Sequence, residues 1–87
     1  MEIVISPKAI EDLQNFKFGN QKPAFKVLEL IQDIAKTNFT GIGKPEPLKG
    51  NYQGCWSRRI NDEHRLIYRI LNNKIEIISA SGHYGDK

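Results

Sequence analysis

The feature that most constrains the fold is a dense run of glycine and proline in the middle of the chain. Six such residues fall between positions 41 and 54, namely Gly41, Gly43, Pro45, Pro47, Gly50 and Gly54. Glycine and proline interrupt helices and strands, so no regular element is expected there. We therefore predict a structured loop over 37–54, and a loop this long in a small domain is more often functional than idle.

Helical spacing dominates the chain before this loop. The short β-branched segment 2–5 predicts a strand. Ser6-Pro7 is typical of the N-cap and first position of a helix, which we expect over 7–18 with Gly19-Asn20 ending it. Pro23 begins a second helix, whose apolar stripe consists of Ala24, Val27, Leu28, Ile31, Ile34 and Ala35. The short connection predicts a helical hairpin.

Strand patterns dominate the chain after the loop. Three strands are predicted over 55–60, 64–71 and 74–80, with turn residues at 61–63 and at Asn72-Asn73. Side chains alternate between the two faces of a strand. In the middle strand, one face carries Leu66, Tyr68 and Ile70, and the other carries Arg65, Ile67 and Arg69. The first set is expected to meet the helices and the second to face outward.

The whole pattern predicts one domain over 1–87 of the α+β class. The expected order is β-α-α-β-β-β, with the helical hairpin packed on one face of a mainly antiparallel sheet. Its composition, with 39% hydrophobic and 26% charged residues, is that of an ordinary folded chain rather than a disordered one. No apolar run approaches the roughly 20 residues of a membrane span, and 1–5 has no signal-peptide pattern. With one cysteine, Cys55, we expect a reduced cytoplasmic protein without an internal disulfide.

The positive charge is concentrated in one part of the chain. All four arginines, Arg58, Arg59, Arg65 and Arg69, lie within 44–69, and the net charge of +3 arises there. Because the arginine fork suits phosphate, this cluster indicates a surface that faces a polyanion. A solvated sheet face with no partner explains the same charges equally well.

The residue types favour metal-free proton transfer over other chemistry. The chain has no Walker loop and no G-x-G-x-x-G, and its two histidines share no metal-binding spacing with Cys55, so neither a cofactor nor a metal is expected. Glu46 lies between two prolines, Arg65 projects from the central strand, and His83 follows the last strand. A carboxylate, an arginine and a histidine suffice to cleave RNA, as base, phosphate clamp and acid.

Each of these residues also has a simpler interpretation. Glu46 could be an exposed loop acid without a catalytic role. Arg65 could pair with Asp62 or Glu63 across the turn, and His83 could be a terminal residue without a role. Three other residues are expected to have structural roles. Trp56 is expected to pack rather than to stack on a base, and His64 lies beside a turn, where histidines are more often structural than catalytic. Cys55 is expected to be a small apolar residue at the start of a strand.

The combined motifs resemble a known family. The segments G-K-P-E-P-L-K at 43–49, W-S-R-R-I at 56–60 and E-H-R-L-I-Y at 63–68, with His83-Tyr84 near the end, resemble the YoeB/Txe toxins of the RelE-like superfamily. The resemblance covers the whole chain in length and element order. It implies a RelE-like fold and a toxin of a type II toxin–antitoxin system.

The resemblance also implies an activity and partners. It implies an endoribonuclease (mRNA interferase) that cleaves mRNA in the ribosomal A site without metal, by 2′-hydroxyl attack, and inhibits translation. The implied partners are the ribosome, a YefM/Phd-type antitoxin and a second copy in a homodimer. Carried over by motif, the site residues are Glu46 as base, His83 as acid, Arg65 as phosphate clamp and Tyr84 as an orienting group, with Lys44, Lys49, Arg58 and Arg59 as RNA contacts.

Two other functions remain as alternatives. A non-catalytic RNA- or ribosome-binding inhibitor would need only the basic surface, because phosphate contacts alone give affinity. In that case Arg58 and Arg59 would matter, whereas Glu46 and His83 would not. An operator-binding repressor is less favoured, because the second predicted helix balances its lysines with Glu29 and Asp33.

Overall fold

Two helices lie against one face of a five-stranded sheet. The computed structural model describes residues 1–16 and 21–82. The elements in chain order are β1 (Glu2–Ile5), α1 (Pro7–Phe16), α2 (Lys22–Lys36), β2 (Glu46–Pro47), a 3₁₀ turn (Gly50–Tyr52), β3 (Trp56–Arg59), β4 (Arg65–Leu71) and β5 (Lys74–Ser79). The predicted α+β class and the order of the predicted elements are confirmed.

The sheet has the order β1-β5-β4-β3-β2. The strands from β2 to β5 pair antiparallel, whereas β1 pairs parallel with β5. The sheet is therefore mainly antiparallel, as predicted. The turn between β4 and β5 uses Asn72 and Asn73, both with positive φ, as a two-residue hairpin of type I′ requires.

The start of α1 follows the predicted capping pattern. The Ser6 hydroxyl oxygen accepts a hydrogen bond from the Ala9 amide at 3.0 Å, and the same hydroxyl donates to the Ile78 carbonyl at 2.7 Å. Ser6 thus caps the helix and ties it to β5. The predicted end of this helix, with Gly19-Asn20, lies outside the described residues. The second helix begins at Lys22, one residue before Pro23.

The apolar stripe predicted for α2 was wrong in three places, one of which is Ala35, which is exposed. Leu28 is 60% exposed, whereas Leu30, which the prediction omitted, is fully buried. The buried set is Val27, Leu30, Ile31 and Ile34. These positions follow the i, i+3, i+4, i+7 rule for one helix face, so the helix is rotated relative to the predicted stripe.

The predicted absence of regular structure in 37–54 was also wrong. Glu46–Pro47 forms an additional strand, paired antiparallel with β3, and Gly50–Tyr52 forms a 3₁₀ turn. Proline is tolerated in β2 because this strand is at the edge of the sheet, where an amide hydrogen can be missing without loss of a ladder bond.

Both faces of the sheet bury apolar side chains. The main core joins the helices to the sheet and includes Ala9, Leu30, Ile34, Leu66, Tyr68, Ile75 and Ile77. On the opposite face, Leu48, Cys55 and Ile67 form a smaller cluster beneath the loop that follows β2. Within 1–16 and 21–82, no helix is long and apolar enough to cross a bilayer.

Candidate active site

Glu46 lies at the edge of the sheet, on the face opposite the helices. It is exposed on β2 and pairs in register with Ser57 of β3, which in turn pairs with Ile67 of β4. Residues directly opposite each other on paired strands share a face. Ile67 belongs to the cluster on the side away from the helices, so Glu46 projects on that side too.

The loop segment before Glu46 is fixed to the neighbouring strand. The Arg59 amide donates a hydrogen bond to the Gly43 carbonyl at 2.6 Å. A Cβ atom at Gly43 would lie 2.8 Å from Leu30 Cδ2 and 3.1 Å from Arg58 Cβ, and its φ is +82°. Only glycine fits this close approach, which sets the path of the chain towards Glu46.

Arg59 and Arg65 lie side by side on that same face. They are register partners at the ends of β3 and β4. Arg59 is exposed, whereas Arg65 is only 7% exposed. The Arg65 Nη1 atom donates to the carbonyls of Asn61 at 2.9 Å and His64 at 3.3 Å. These contacts orient the guanidinium. Arg65 is on the predicted outer face of the sheet, but it is less exposed there than the prediction implied.

The C-terminal segment reaches the site next to Arg65. The Arg65 amide donates to the Gly82 carbonyl at 3.0 Å, and the Gly82 amide donates to His64 Nδ1 at 3.0 Å. His83 and Tyr84 lie outside the described residues, so the structure places neither of them. Gly82, which directly precedes His83 in the chain, is nevertheless hydrogen-bonded to Arg65, the predicted phosphate clamp.

The sheet register gives the separation of Glu46 and Arg65. Glu46 is two strands from Ile67, and Arg65 lies two residues before Ile67 on β4. With about 4.8 Å between strands and about 3.3 Å per residue, the two Cα atoms are about 12 Å apart. Side chains of this length can approach a single phosphodiester from two sides.

Arg58 does not lie on the surface that the sequence analysis assigned to it. Its side chain is fully buried between α2, the loop and the sheet. Nη1 donates to Asp33 Oδ2 at 2.6 Å, Nη2 donates to the carbonyls of Thr37 and Thr40 at 2.8 Å each, and Nε donates to the Tyr68 hydroxyl at 3.2 Å. Arg58 alternates with Arg59 along β3, so only Arg59 faces the side of Glu46.

The two lysines predicted to contact RNA are both exposed. Lys44 precedes the Pro45-Glu46 pair, and Lys49 follows β2. An open cavity of about 530 Å³ extends from Lys49 to Trp56. Trp56 itself packs against the core and lies 4.6 Å from the Phe39 ring, centroid to centroid, which favours the packing interpretation over base stacking.

Burial and pairing change the acidity of two groups around Arg58. Hydrogen bonds from Arg58 and from the Ile42 amide hold the pKa of Asp33 below its usual value. Burial raises the pKa of the Tyr68 hydroxyl, although Arg58 opposes this shift. Sequence reasoning missed Asp33, because an acid on a helix carries no signal of a partner 25 residues later.

Asp12 is a second acid whose role the sequence did not reveal. It is 4% exposed, and its carboxylate accepts hydrogen bonds from the Ala80 amide at 2.8 Å and Lys8 Nζ at 2.6 Å. Burial opposes its ionisation, but the hydrogen bonds from Ala80, Lys8 and Ser81 outweigh burial and lower its pKa. The contact ties α1 to the chain just before Gly82. Within the described part of the chain, no three histidine, cysteine or acidic side chains form a metal-binding group.

Comparison with known proteins identifies similar chains. Residues 5–84 match the sequence model of a family described as "YoeB-like toxin of bacterial type II toxin-antitoxin system". The chain is 42% identical over 84 residues to "Toxin YoeB" of Streptomyces coelicolor, covering 97% of this chain and 100% of the relative. It resembles a Staphylococcus aureus YoeB in a heterotetrameric complex with YefM, at 45% identity and a TM-score of 0.85, with 97% and 98% of the two chains covered. A YoeB dimer of the same species matches at 45% identity and a TM-score of 0.88, with the same coverage.

Proposed function

Because the chain belongs to the family of YoeB-like toxins of bacterial type II toxin–antitoxin systems, we propose that it is a metal-independent endoribonuclease that cleaves mRNA in the ribosomal A site. Its two helices and five-stranded sheet form the RelE-like fold predicted from the sequence. One observation carries the proposal. Glu46 and Arg65 share a sheet face, and Gly82, which precedes His83, is hydrogen-bonded to Arg65.

The proposed reaction is an intramolecular displacement within the RNA. The Glu46 carboxylate accepts the proton of a 2′-hydroxyl, and the 2′-oxygen attacks the adjacent phosphorus. The new P–O2′ bond forms as the P–O5′ bond breaks, and His83 as imidazolium donates a proton to the departing 5′-oxygen. The products are a 2′,3′-cyclic phosphate and a 5′-hydroxyl. Base and acid catalysis of this kind each contribute roughly 10²–10⁴-fold.

Arg65 supplies the electrostatic part of the mechanism. Negative charge accumulates on the non-bridging phosphate oxygens in the transition state, and an oriented guanidinium stabilises it. The carbonyls of Asn61 and His64 hold the Arg65 side chain before substrate arrives, so little reorganisation is needed. We assign Tyr84 the role of orienting the substrate.

Three exposed cations are proposed to hold the RNA backbone: Lys44, Lys49 and Arg59. All three are exposed around Glu46, and Arg59 shares its sheet face. Arg58 is left out of this set because its guanidinium is committed to internal partners. An action on messages at the ribosome would place the protein in the cytoplasm.

The same basic face suits an acidic antitoxin. The Staphylococcus aureus relatives form a YoeB–YefM heterotetramer and a YoeB dimer. We propose that this chain likewise binds a YefM/Phd-type antitoxin, whose acidic segment covers Arg59 and Lys49, and that it associates with a second copy of itself. Complementary charge favours rapid and specific association of such partners.

The test is cleavage of a translated message by the parent and by two single variants, Glu46→Gln and His83→Gln. Primer extension maps the cut, and mass spectrometry of the 3′ end detects the cyclic phosphate. Each variant is expected to lose roughly 10²-fold or more of the cleavage rate, because each lacks one proton-transfer group.

The matched control is Glu11→Gln, which neutralises an exposed acid on α1, on the side of the sheet away from Glu46. It is expected to cut like the parent. If both active-site variants cut as fast as the parent, the acid–base assignment is wrong. If translation stops while the message stays intact, the protein acts by occupancy, and Arg59→Met should then abolish inhibition.

A further inference from the structure

His64 makes a contact that neither its position beside a turn nor its sequence motif explains. Its Nδ1 atom accepts a hydrogen bond from the Gly82 amide at 3.0 Å, across 18 residues of chain. An imidazole nitrogen accepts only when it carries no proton, so the ring hydrogen is on Nε2. The contact thus selects the tautomer of His64 that leaves Nδ1 free to accept.

The His64 ring is held in place from two directions. It packs against the Phe16 ring of α1, with 5.2 Å between centroids and 58° between planes. Its own backbone belongs to a tight turn, in which Asn61 Oδ1 accepts the His64 amide at 2.8 Å and the His64 carbonyl accepts the Ile60 amide at 3.0 Å. The acceptor nitrogen is therefore presented at a defined position.

Gly82 is hydrogen-bonded through both of its backbone polar groups. Its amide donates to His64, and its carbonyl accepts from the Arg65 amide. Its φ of +81° lies in the left-handed region that favours glycine. Two bonds, one to His64 just before β4 and one to Arg65 at its start, fix the position and the orientation of this glycine, to which His83 is covalently attached.

We propose that His64 is a positioning residue for the general acid: its Nδ1 atom fixes Gly82 beside Arg65 and so sets where the catalytic segment begins. This inference rests on the proposed function, in which His83 donates the proton. Misplacing a reacting group by about 1 Å can cost roughly 10²-fold in rate. His64 need not touch the RNA to have an effect of that size.

Two substitutions separate the acceptor from the ring. His64→Phe retains an aromatic contact with Phe16 but has no acceptor. His64→Asn loses the ring but places Oδ1 close to the former position of Nδ1. If the packing of the ring determines the cleavage rate, His64→Phe should cut faster than His64→Asn. If the hydrogen-bond acceptor determines the rate, His64→Asn should cut faster than His64→Phe.

The experiment measures single-turnover cleavage on programmed ribosomes, together with amide hydrogen exchange at Gly82 by NMR. His64→Phe is expected to cut about 10- to 100-fold more slowly at saturating ribosomes, with the half-saturating concentration within about twofold. Its Gly82 amide should exchange faster than in the parent. His64→Asn should keep the protected amide and cut within about threefold of the parent, a difference below 1 kcal/mol.

The possible results are distinguishable. Cleavage by His64→Phe at the parent's rate overturns the positioning role alone, as does an equal loss in His64→Asn and His64→Phe. Absence of cleavage by the parent overturns the proposed function and the positioning role with it, although the protected Gly82 amide would still be observed. A Gly82 amide equally protected in His64→Phe shows that the contact does not hold the segment and also overturns the inference.

Discussion

Replacing Arg58 by methionine should destabilise the protein strongly, because the guanidinium joins three parts of the fold. It donates to Asp33 of α2, to the carbonyls of Thr37, Thr40 and Ile42 in the loop, and to Tyr68 of β4. Methionine fills much of the same volume but donates no hydrogen bond. The variant therefore removes the donors while keeping most of the packing.

The expected loss can be estimated from the surroundings of the lost charge. Removing one partner of a buried ion pair typically costs 3–5 kcal/mol. Here the Asp33 side chain is 24% exposed, so water can replace part of the lost contact. We expect about 3 kcal/mol, at the low end of that range. For a domain of this size, such a loss lowers Tm by about 12–24 °C.

The assay is urea unfolding followed by the fluorescence of Trp56, the single tryptophan. This residue begins β3 and packs against Phe39 of the loop that Arg58 holds. The matched control is Arg59→Met, the exposed neighbour on β3, which should change the free energy of unfolding by about 0.5 kcal/mol or less. Should Arg58→Met fail to fold, Tyr68→Phe offers a milder change of about 1–2 kcal/mol. An Arg58→Met protein within about 1 kcal/mol of the parent would refute the reasoning.

Two further predictions concern titratable groups. Arg58 and the Ile42 amide lower the pKa of Asp33 in the folded state. The ionised Asp33 carboxylate therefore contributes its full stabilisation above the unfolded pKa of about 3.9. That stabilisation is lost as the pH falls through the lower pKa of the folded state. The difference in free energy of unfolding between the parent and Asp33→Asn should therefore shrink on acidification, and a constant difference in urea titrations from pH 7 to pH 2 would contradict this. Burial raises the pKa of the Cys55 thiol, so iodoacetamide at pH 7.5 should alkylate the folded protein far more slowly than the unfolded one, and equal rates by mass spectrometry would show that the thiol is accessible.

The local elements could be predicted from the sequence because each depends on nearby residues. Ser6 caps α1 as predicted, and Asn72-Asn73 closes the hairpin between β4 and β5. Capping and turn preferences act over a few residues, so their signals survive without tertiary information. The same holds for the strand alternation that places Leu66 and Tyr68 in the core.

Predictions that depended on distant contacts were less reliable. The short strand Glu46–Pro47 has no propensity signal, because a two-residue edge strand exists only through its pairing with β3. Leu28 and Leu30 are chemically identical, and only the packing of α2 on the sheet decides that Leu30 is buried. An apolar stripe gives the period of a helix but not its exact rotation against a neighbour.

The amino-acid sequence by itself determined the order of the helices and of the longer strands, the family resemblance and the set of residues with suitable chemistry. Only the tertiary structure decided which of them share a face. Strand alternation separates Arg58 from Arg59, but the packing of α2 and the loop is what buries Arg58 against Asp33 and leaves Arg59 beside Arg65. The physical reason is that the register between strands and the contacts across the fold join residues far apart in the chain, and no local preference encodes them.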